Sequence, residues 1–181
     1  MRHAIRTLSA ALIALAVAVP GLGLSSVPAL AQERDLGTNV NPSVAAKGGW
    51  WEADVRGADG GAAFGAEFAI DNLAYAPTYG KLHHMFSWNH SDHDGLELNS
   101  AEWNVHWMVE ARPNLWIGLG PGLGWVWADG NNLDDSAALQ LGASAHTVVG
   151  HAIFGIEGRY QWTEADSVDN WLTMVTVGYR F

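Results

Sequence analysis

The 181-residue chain contains no cysteine, which excludes both a disulfide framework and a thiolate metal site. It is also poor in basic side chains: nine Lys and Arg stand against 19 Asp and Glu, a formal net charge of −10. Nucleic acid and anionic phospholipid headgroups both demand a basic surface, so neither is expected as a partner. Long apolar runs are scarce as well. After residue 31 no continuously apolar stretch approaches the ~20 residues that a helical membrane span requires. What the chain does hold in quantity is Trp and Gly, 10 and 21 residues, within a hydrophobic fraction of 49%. A membrane protein built from helices is thereby excluded. One built from alternating strands is not, because each strand shows its apolar side only at every second residue.

The amino-terminal residues have the three parts of a secretory signal peptide. Arg2 and Arg6 supply the charge, Ala10 to Val19 an apolar core, and Ala29-Leu30-Ala31 a small-residue cleavage pattern. Residues 1–31 are therefore expected to be removed. The remaining residues, Gln32 to Phe181, would keep seven of the nine basic side chains and all 19 acids, a net charge of −12. Residues 32–47, rich in Asn, Pro and Ala, read as a loosely ordered leader. Residues 48–181 read as one domain.

That domain divides at its turn signals into eight segments, most of them alternating with a period of two, the mark of a strand with one apolar face. The last is the clearest: Trp171, Thr173, Val175, Val177, Tyr179 and Phe181 alternate with Asn170, Leu172, Met174, Thr176, Gly178 and Arg180. In the seventh, Phe154, Ile156, Tyr160 and Trp162 oppose Glu157, Arg159, Gln161 and Thr163. In the sixth, Leu139, Leu141, Ala143, Ala145 and Val149 oppose Gln140, Gly142, Ser144 and His146. The fifth sets Leu115 to Trp127 against Gly118, Gly120, Gly122 and Gly124, and the fourth sets Trp103, Val105, Trp107 and Val109 against Glu102, Asn104, His106 and Glu110. The first three are weaker. Trp51, Ala53 and Val55 oppose Glu52, Asp54 and Arg56; Phe64, Ala66, Phe68 and Ile70 oppose Gly65, Glu67 and Asp71. Leu82, Phe86 and Trp88 share a face with His84, which breaks the pattern. Gly, Pro, Asn and Asp dominate the intervening stretches, including Asn89 to Asn99, as turns require. Short links imply an antiparallel up-and-down meander, and eight such strands can close into a barrel without a free edge.

Period two does not say which face points outward. The tryptophans do. With both chain ends on one side, Trp88, Trp103, Trp125, Trp127, Trp162 and Trp171 share one face and gather toward the opposite end, an aromatic belt of the kind found at a membrane interface. The other face is rich in glycine and sparse in charge, as a cramped barrel interior requires and a solvated surface does not. The fold class expected is all-β, an eight-stranded antiparallel up-and-down transmembrane β-barrel.

Two stretches also resemble a known family. Thr176-Val177-Gly178-Tyr179-Arg180-Phe181 resembles the terminal strand of outer-membrane proteins, and Trp116 to Trp125, alternating with glycine, resembles a strand of small outer-membrane barrels of the OmpA-barrel and OmpX type. The resemblance implies a cell outer-membrane location and assigns Tyr179 and Phe181 as the signal read by the barrel-assembly machinery. It implies no activity.

An interior so built would hold Glu52, Asp54, Arg56, Glu67, Glu102, His106, Glu110, Glu157, Arg159 and Arg180. Opposite charges in a narrow lumen must pair, so arginines bridging carboxylates would plug it. A narrow cation-selective channel is the alternative that excess acid suggests. His90, Asp92, His93 and Asp94 form the densest cluster of possible metal ligands, although their spacing matches no zinc or EF-hand template. Ser87, His90 and Ser91 invite comparison with lipid A acyl hydrolases or transferases, but no oxyanion element or placed acid accompanies them. The reading is a non-enzymatic, monomeric barrel of structural or surface-interaction type. Its partners would be outer-membrane lipid and lipopolysaccharide. It needs no cofactor beyond Mg²⁺ or Ca²⁺ bridging its acidic outer loops to lipopolysaccharide phosphates.

Overall fold

Among the described residues, alternation with a period of two gives strands and turns with no helix, as expected. A computed structural model describes residues 40–53, 60–73, 75–93, 95–129, 134–164 and 169–181, all within one compact unit spanning Asp35–Phe181. The strands are β1 (Ser43–Ala53), β2 (Gly61–Asp71), β3 (Lys81–His93), β4 (Leu96–Arg112), β5 (Leu115–Asp129), β6 (Ser136–Val149), β7 (Ala152–Thr163) and β8 (Asn170–Arg180). Each pairs with its neighbours in sequence, and β8 returns to β1, so the sheet closes with every pair antiparallel. No described helix is long and apolar enough to cross a membrane.

Closure is staggered. Ser43 lies opposite Ala69, then Met85, Asn104, Gly122, Gln140, Gln161 and Asn170 around the wall. That row meets β1 again at Ala53, ten residues beyond Ser43. A shear larger than the strand number tilts the strands and opens an interior that side chains must fill.

Three expectations about the strands need correction. β1 begins at Ser43, so the last residues assigned to the leader are in the barrel wall. Its faces are also the reverse of those expected. Trp51 points inward, 1% exposed, whereas Glu52 shares the outer face with Trp50. Finally, Asn89 to Asn99 is not a loop: β3 runs to His93 and β4 starts at Leu96, with Gly95 in the left-handed conformation that a tight hairpin demands (φ 76°). Asp54 and Arg56 lie outside the described residues.

Inside, chemistry changes with height. At the end remote from the start of β1 and the end of β8, Trp51, Ala63, Leu96, Leu98, Val126, Ala138, Leu172 and Met174 form an apolar cluster. Below it lies a polar layer, and the end where β1 starts and β8 finishes opens into a cavity. The outer wall is apolar throughout its middle, from Phe64, Phe68 and Phe86 to Leu119, Leu139, Val175 and Val177, all exposed.

Candidate functional site

The charged side chains of the polar layer come from four strands. Lys47 on β1 projects inward with its side chain wholly inaccessible (0% exposed) and meets Glu67 of β2 at 3.2 Å. The same ammonium contacts Glu157 of β7 and donates to Ser87 Oγ at 3.2 Å. Glu157 accepts from Arg159 Nη1 at 2.9 Å. Arg159 Nη2 approaches Glu102 Oε2 of β4 to 2.5 Å, an ion pair whose approach is too oblique for a well-formed hydrogen bond. Glu102 also accepts from Ser100 at 2.5 Å, Gln161 at 2.8 Å and Asn104 at 3.4 Å. The result is one chain of charge, Glu67–Lys47–Glu157–Arg159–Glu102, in which two cations hold three carboxylates. Buried charges persist only when paired in this way.

Of the expected interior residues, Glu67, Glu102, Glu157 and Arg159 converge here. His106 is inside as expected, but its Nδ1 lies 2.8 Å from Ser144 Oγ. The structure corrects the rest. Glu52 faces outward. Glu110 is exposed at the β4–β5 turn, where it accepts from Asn114 N at 2.8 Å. Arg180 lines the cavity below and pairs with no described carboxylate. Sequence reading missed Lys47, hidden in the expected leader, and it missed a second group near the start of β1 and the end of β8. There Asp71 holds Lys81 at 3.0 Å, His83 at 2.7 Å and Asn41 at 3.2 Å. An inward Lys81 and His83 at alternate positions of β3 were the available signal.

The metal candidates do not converge. His90 and Asp92 stand on the outer face of β3 and His93 on the inner one, as strand alternation dictates. The His90 ring packs on Phe64 (centroids 4.8 Å apart) and its Nδ1 lies 2.9 Å from Asn99 Oδ1. Asp94 lies outside the described residues, and among those described no three ligating side chains gather. The same alternation separates Ser87 and Ser91, both inward, from the outward His90. Ser87 is instead held between Lys47 and Glu67.

The six belt tryptophans all point out of the barrel, with Trp171 half-buried against Tyr160 (centroids 5.0 Å). Trp50 joins them. Trp103 stands in mid-strand, because β4 starts seven residues before it. Tyr179 and Phe181 face outward at the opposite rim, their rings edge-on at 5.4 Å.

A closed eight-stranded meander with an apolar outer wall and charges within is, in fold, a small β-barrel of the outer-membrane kind. Among solved structures the chain is similar to Neisserial surface protein A (NspA), with a TM-score of 0.52 and 13% identity over 77% of this chain and 97% of that one. It is also similar to the N-terminal β-barrel domain of Pseudomonas aeruginosa OprF, with a TM-score of 0.50 and 12% identity over 77% and 97% of the two chains. No protein-family model matches the chain, and no curated protein matches it in sequence.

Proposed function

We propose that this chain is a non-enzymatic barrel of the Gram-negative outer membrane, of structural or surface-interaction type, with an occluded interior. The observation that carries the reading is the ion-pair chain from Glu67 to Glu102, which reaches from β2 through β1 and β7 to β4. Above it, Trp51, Leu98, Val126 and Leu172 fill the lumen with apolar side chains. An ion crossing would have to displace both layers. NspA, a barrel of this fold, is by its name a surface protein, which agrees with a role at the cell surface. Asp92, Glu97, Asp129, Asp134, Asp135, Glu164 and Asp169 lie at the belt end, and Mg²⁺ or Ca²⁺ would bridge them to lipopolysaccharide phosphates. Tyr179 and Phe181 would be read by the barrel-assembly machinery, and the finished barrel would be a monomer.

The excess of one carboxylate in the polar layer favours a second reading, a narrow cation channel. Two assays separate the readings. Reconstituted in planar bilayers, the protein is expected to give no stable conductance steps; regular cation-selective openings would replace occlusion with the channel. Lipid A from cells with and without the protein is expected to have the same mass spectrum. A lost or added acyl chain would make the protein an enzyme.

A further inference from the structure

The strands are joined unequally at the end where β1 starts and β8 finishes. Residues 113–114 and 150–151 connect β4 to β5 and β6 to β7 as two-residue turns, whereas residues 72–80 connect β2 to β3. That longer segment reads Asn-Leu-Ala-Tyr-Ala-Pro-Thr-Tyr-Gly and contains no Asp, Glu, Lys or Arg. The connections at the belt end differ, with Asp134, Asp135 and Glu164 among their residues. Within the uncharged segment Leu73, Tyr75 and Tyr79 are 50%, 63% and 58% exposed. Large apolar side chains exposed together mark an interaction surface.

The segment is fixed to the barrel at both ends. Asn72 N donates to Leu82 O at 2.7 Å, and Asn72 Oδ1 accepts from Leu82 N at 3.0 Å. At the other end the Tyr79 carbonyl accepts from Trp107 Nε1 at 2.9 Å. Gly80 follows in the left-handed conformation (φ 75°), so close to β4 that a Cβ there would strike the Met108 carbonyl. Trp107 stands on the outer face of β4 and is exposed, so its bond places the Tyr79 backbone beside the apolar outer wall. Tyr179 and Phe181 are exposed at the same end, on and just after β8, which lies four strands from β4 in the closed sheet.

We infer that Leu73, Tyr75 and Tyr79 rest on lipid, in the headgroup zone of the bilayer leaflet at this end of the barrel. An apolar outer wall of this kind faces lipid, and the segment continues that wall from Trp107. It brings no charge that would have to be stripped of water. Tyrosine suits this depth, because its ring is apolar while its hydroxyl needs a hydrogen-bond partner. Greater depth is excluded by the backbone, since irregular chain exposed to hydrocarbon leaves N–H and C=O groups unsatisfied. Pro77 removes one of those donors. Tyr179 and Phe181 meet the same interface from the far side of the barrel. The placement holds whichever side of the membrane this end faces, and it does not depend on whether the lumen conducts.

The test uses the full barrel folded into phosphatidylcholine vesicles, which supply a lipid surface and no other partner. The chain has no cysteine, so a nitroxide can be attached through Ala76→Cys, at an exposed position within the segment. Collisions with oxygen, which enters lipid, are compared with collisions with a water-soluble nickel chelate. Arg112→Cys, exposed beside the turn at 113–114, is the aqueous control, and Leu141→Cys on the outer wall is the hydrocarbon control. The Ala76 label is expected to fall between them, with chelate collisions several-fold fewer than at Arg112. Leu73→Ser, Tyr75→Ser and Tyr79→Ser together should raise those collisions to the Arg112 level. Heat-modifiable gel migration verifies folding, and Tyr75→Ser alone serves if the triple variant does not fold. Chelate access at Ala76 equal to that at Arg112, with the Leu141 label still in hydrocarbon, would overturn the inference and leave the membrane barrel standing. Shielding that survives the serine changes would overturn it, as would spin–spin broadening between Ala76 labels, which would put a second copy of the chain on the segment instead of lipid.

Discussion

Arg159 is the residue on which the polar layer turns, because it alone joins Glu157 to Glu102. Removing it leaves those acids in different positions. Glu157 keeps Lys47, whereas Glu102 keeps only the neutral donors Ser100, Asn104 and Gln161. Arg159→Leu is therefore expected to cost about 3–5 kcal/mol, the scale for breaking one side of a buried pair. Adding Glu102→Gln should recover much of that loss, and adding Glu157→Leu should recover little, since Glu102 then remains orphaned and Lys47 loses a partner. The measurement is the temperature at which the folded, fast-migrating gel band disappears. Equal recovery by both second changes would mean that water, not Arg159, neutralises Glu102. The Arg159–Glu157 pair was legible in the sequence, because residues two apart on a strand share a face. Its union with Glu102 was not, since cross-barrel distances follow from shear and strand order. Lys47 was missed for a different reason: Ala45, Ala46, Gly48 and Gly49 around it carry no alternation for a reader to follow.

Among the elements, β5 shows how small residues and pairing constrain each other. Its ladder with β4 breaks between Asn104–Gly122 and Trp107–Leu119, where Pro121 has no N–H to offer. A Cβ on Gly120 would collide with the Val105 carbonyl and come within 2.9 Å of the His106 Cα, both backbone atoms that cannot swing aside. Gly120→Ala should therefore destabilise the barrel by about 1–3 kcal/mol, the scale of overpacking. Gly158→Ala on β7, where a Cβ meets nothing within 4 Å, should be neutral or slightly stabilising because it restricts the unfolded chain. Urea midpoints of the two variants in lipid vesicles provide the comparison, and equal midpoints would show that β4 and β5 yield to a methyl group. The glycine face of β5 was plain in the sequence. The faces of β1 were not, for Trp50 and Trp51 are adjacent and equally apolar, so alternation alone assigns either one inward. Glu52, Asp54 and Arg56 suggested that the even positions faced a polar lumen, but the interior at that height is apolar. The rule that the polar face is the inner face holds in the middle of this barrel and fails at its belt end.

At the scale of the whole molecule, the two ends of the barrel differ in a way that sets its orientation. Outward tryptophans and exposed acids crowd one end, while the start of β1, the end of β8, the two-residue turns at 113–114 and 150–151, and the cavity with Arg180 occupy the other. Acidic side chains beside lipopolysaccharide phosphates need divalent cations between them, so the belt end is expected outside the cell. The absence of cysteine makes the test clean, because a single introduced thiol is the only one present. Asp92→Cys and Asp134→Cys, both at the belt end and exposed, should react with a membrane-impermeant maleimide on intact cells. Arg112→Cys, exposed at the other end, should react only after the outer membrane is permeabilised. Stripping divalent cations with EDTA should raise the labelling rate of Asp92→Cys several-fold under conditions that still protect Arg112→Cys, as bridged lipopolysaccharide is released from around the acids. Labelling of Arg112→Cys on intact cells would invert the orientation. Labelling of Asp92→Cys at the same rate with and without EDTA would leave the orientation standing and remove the cation bridge, since an acid held to lipopolysaccharide through Mg²⁺ or Ca²⁺ cannot be indifferent to losing it.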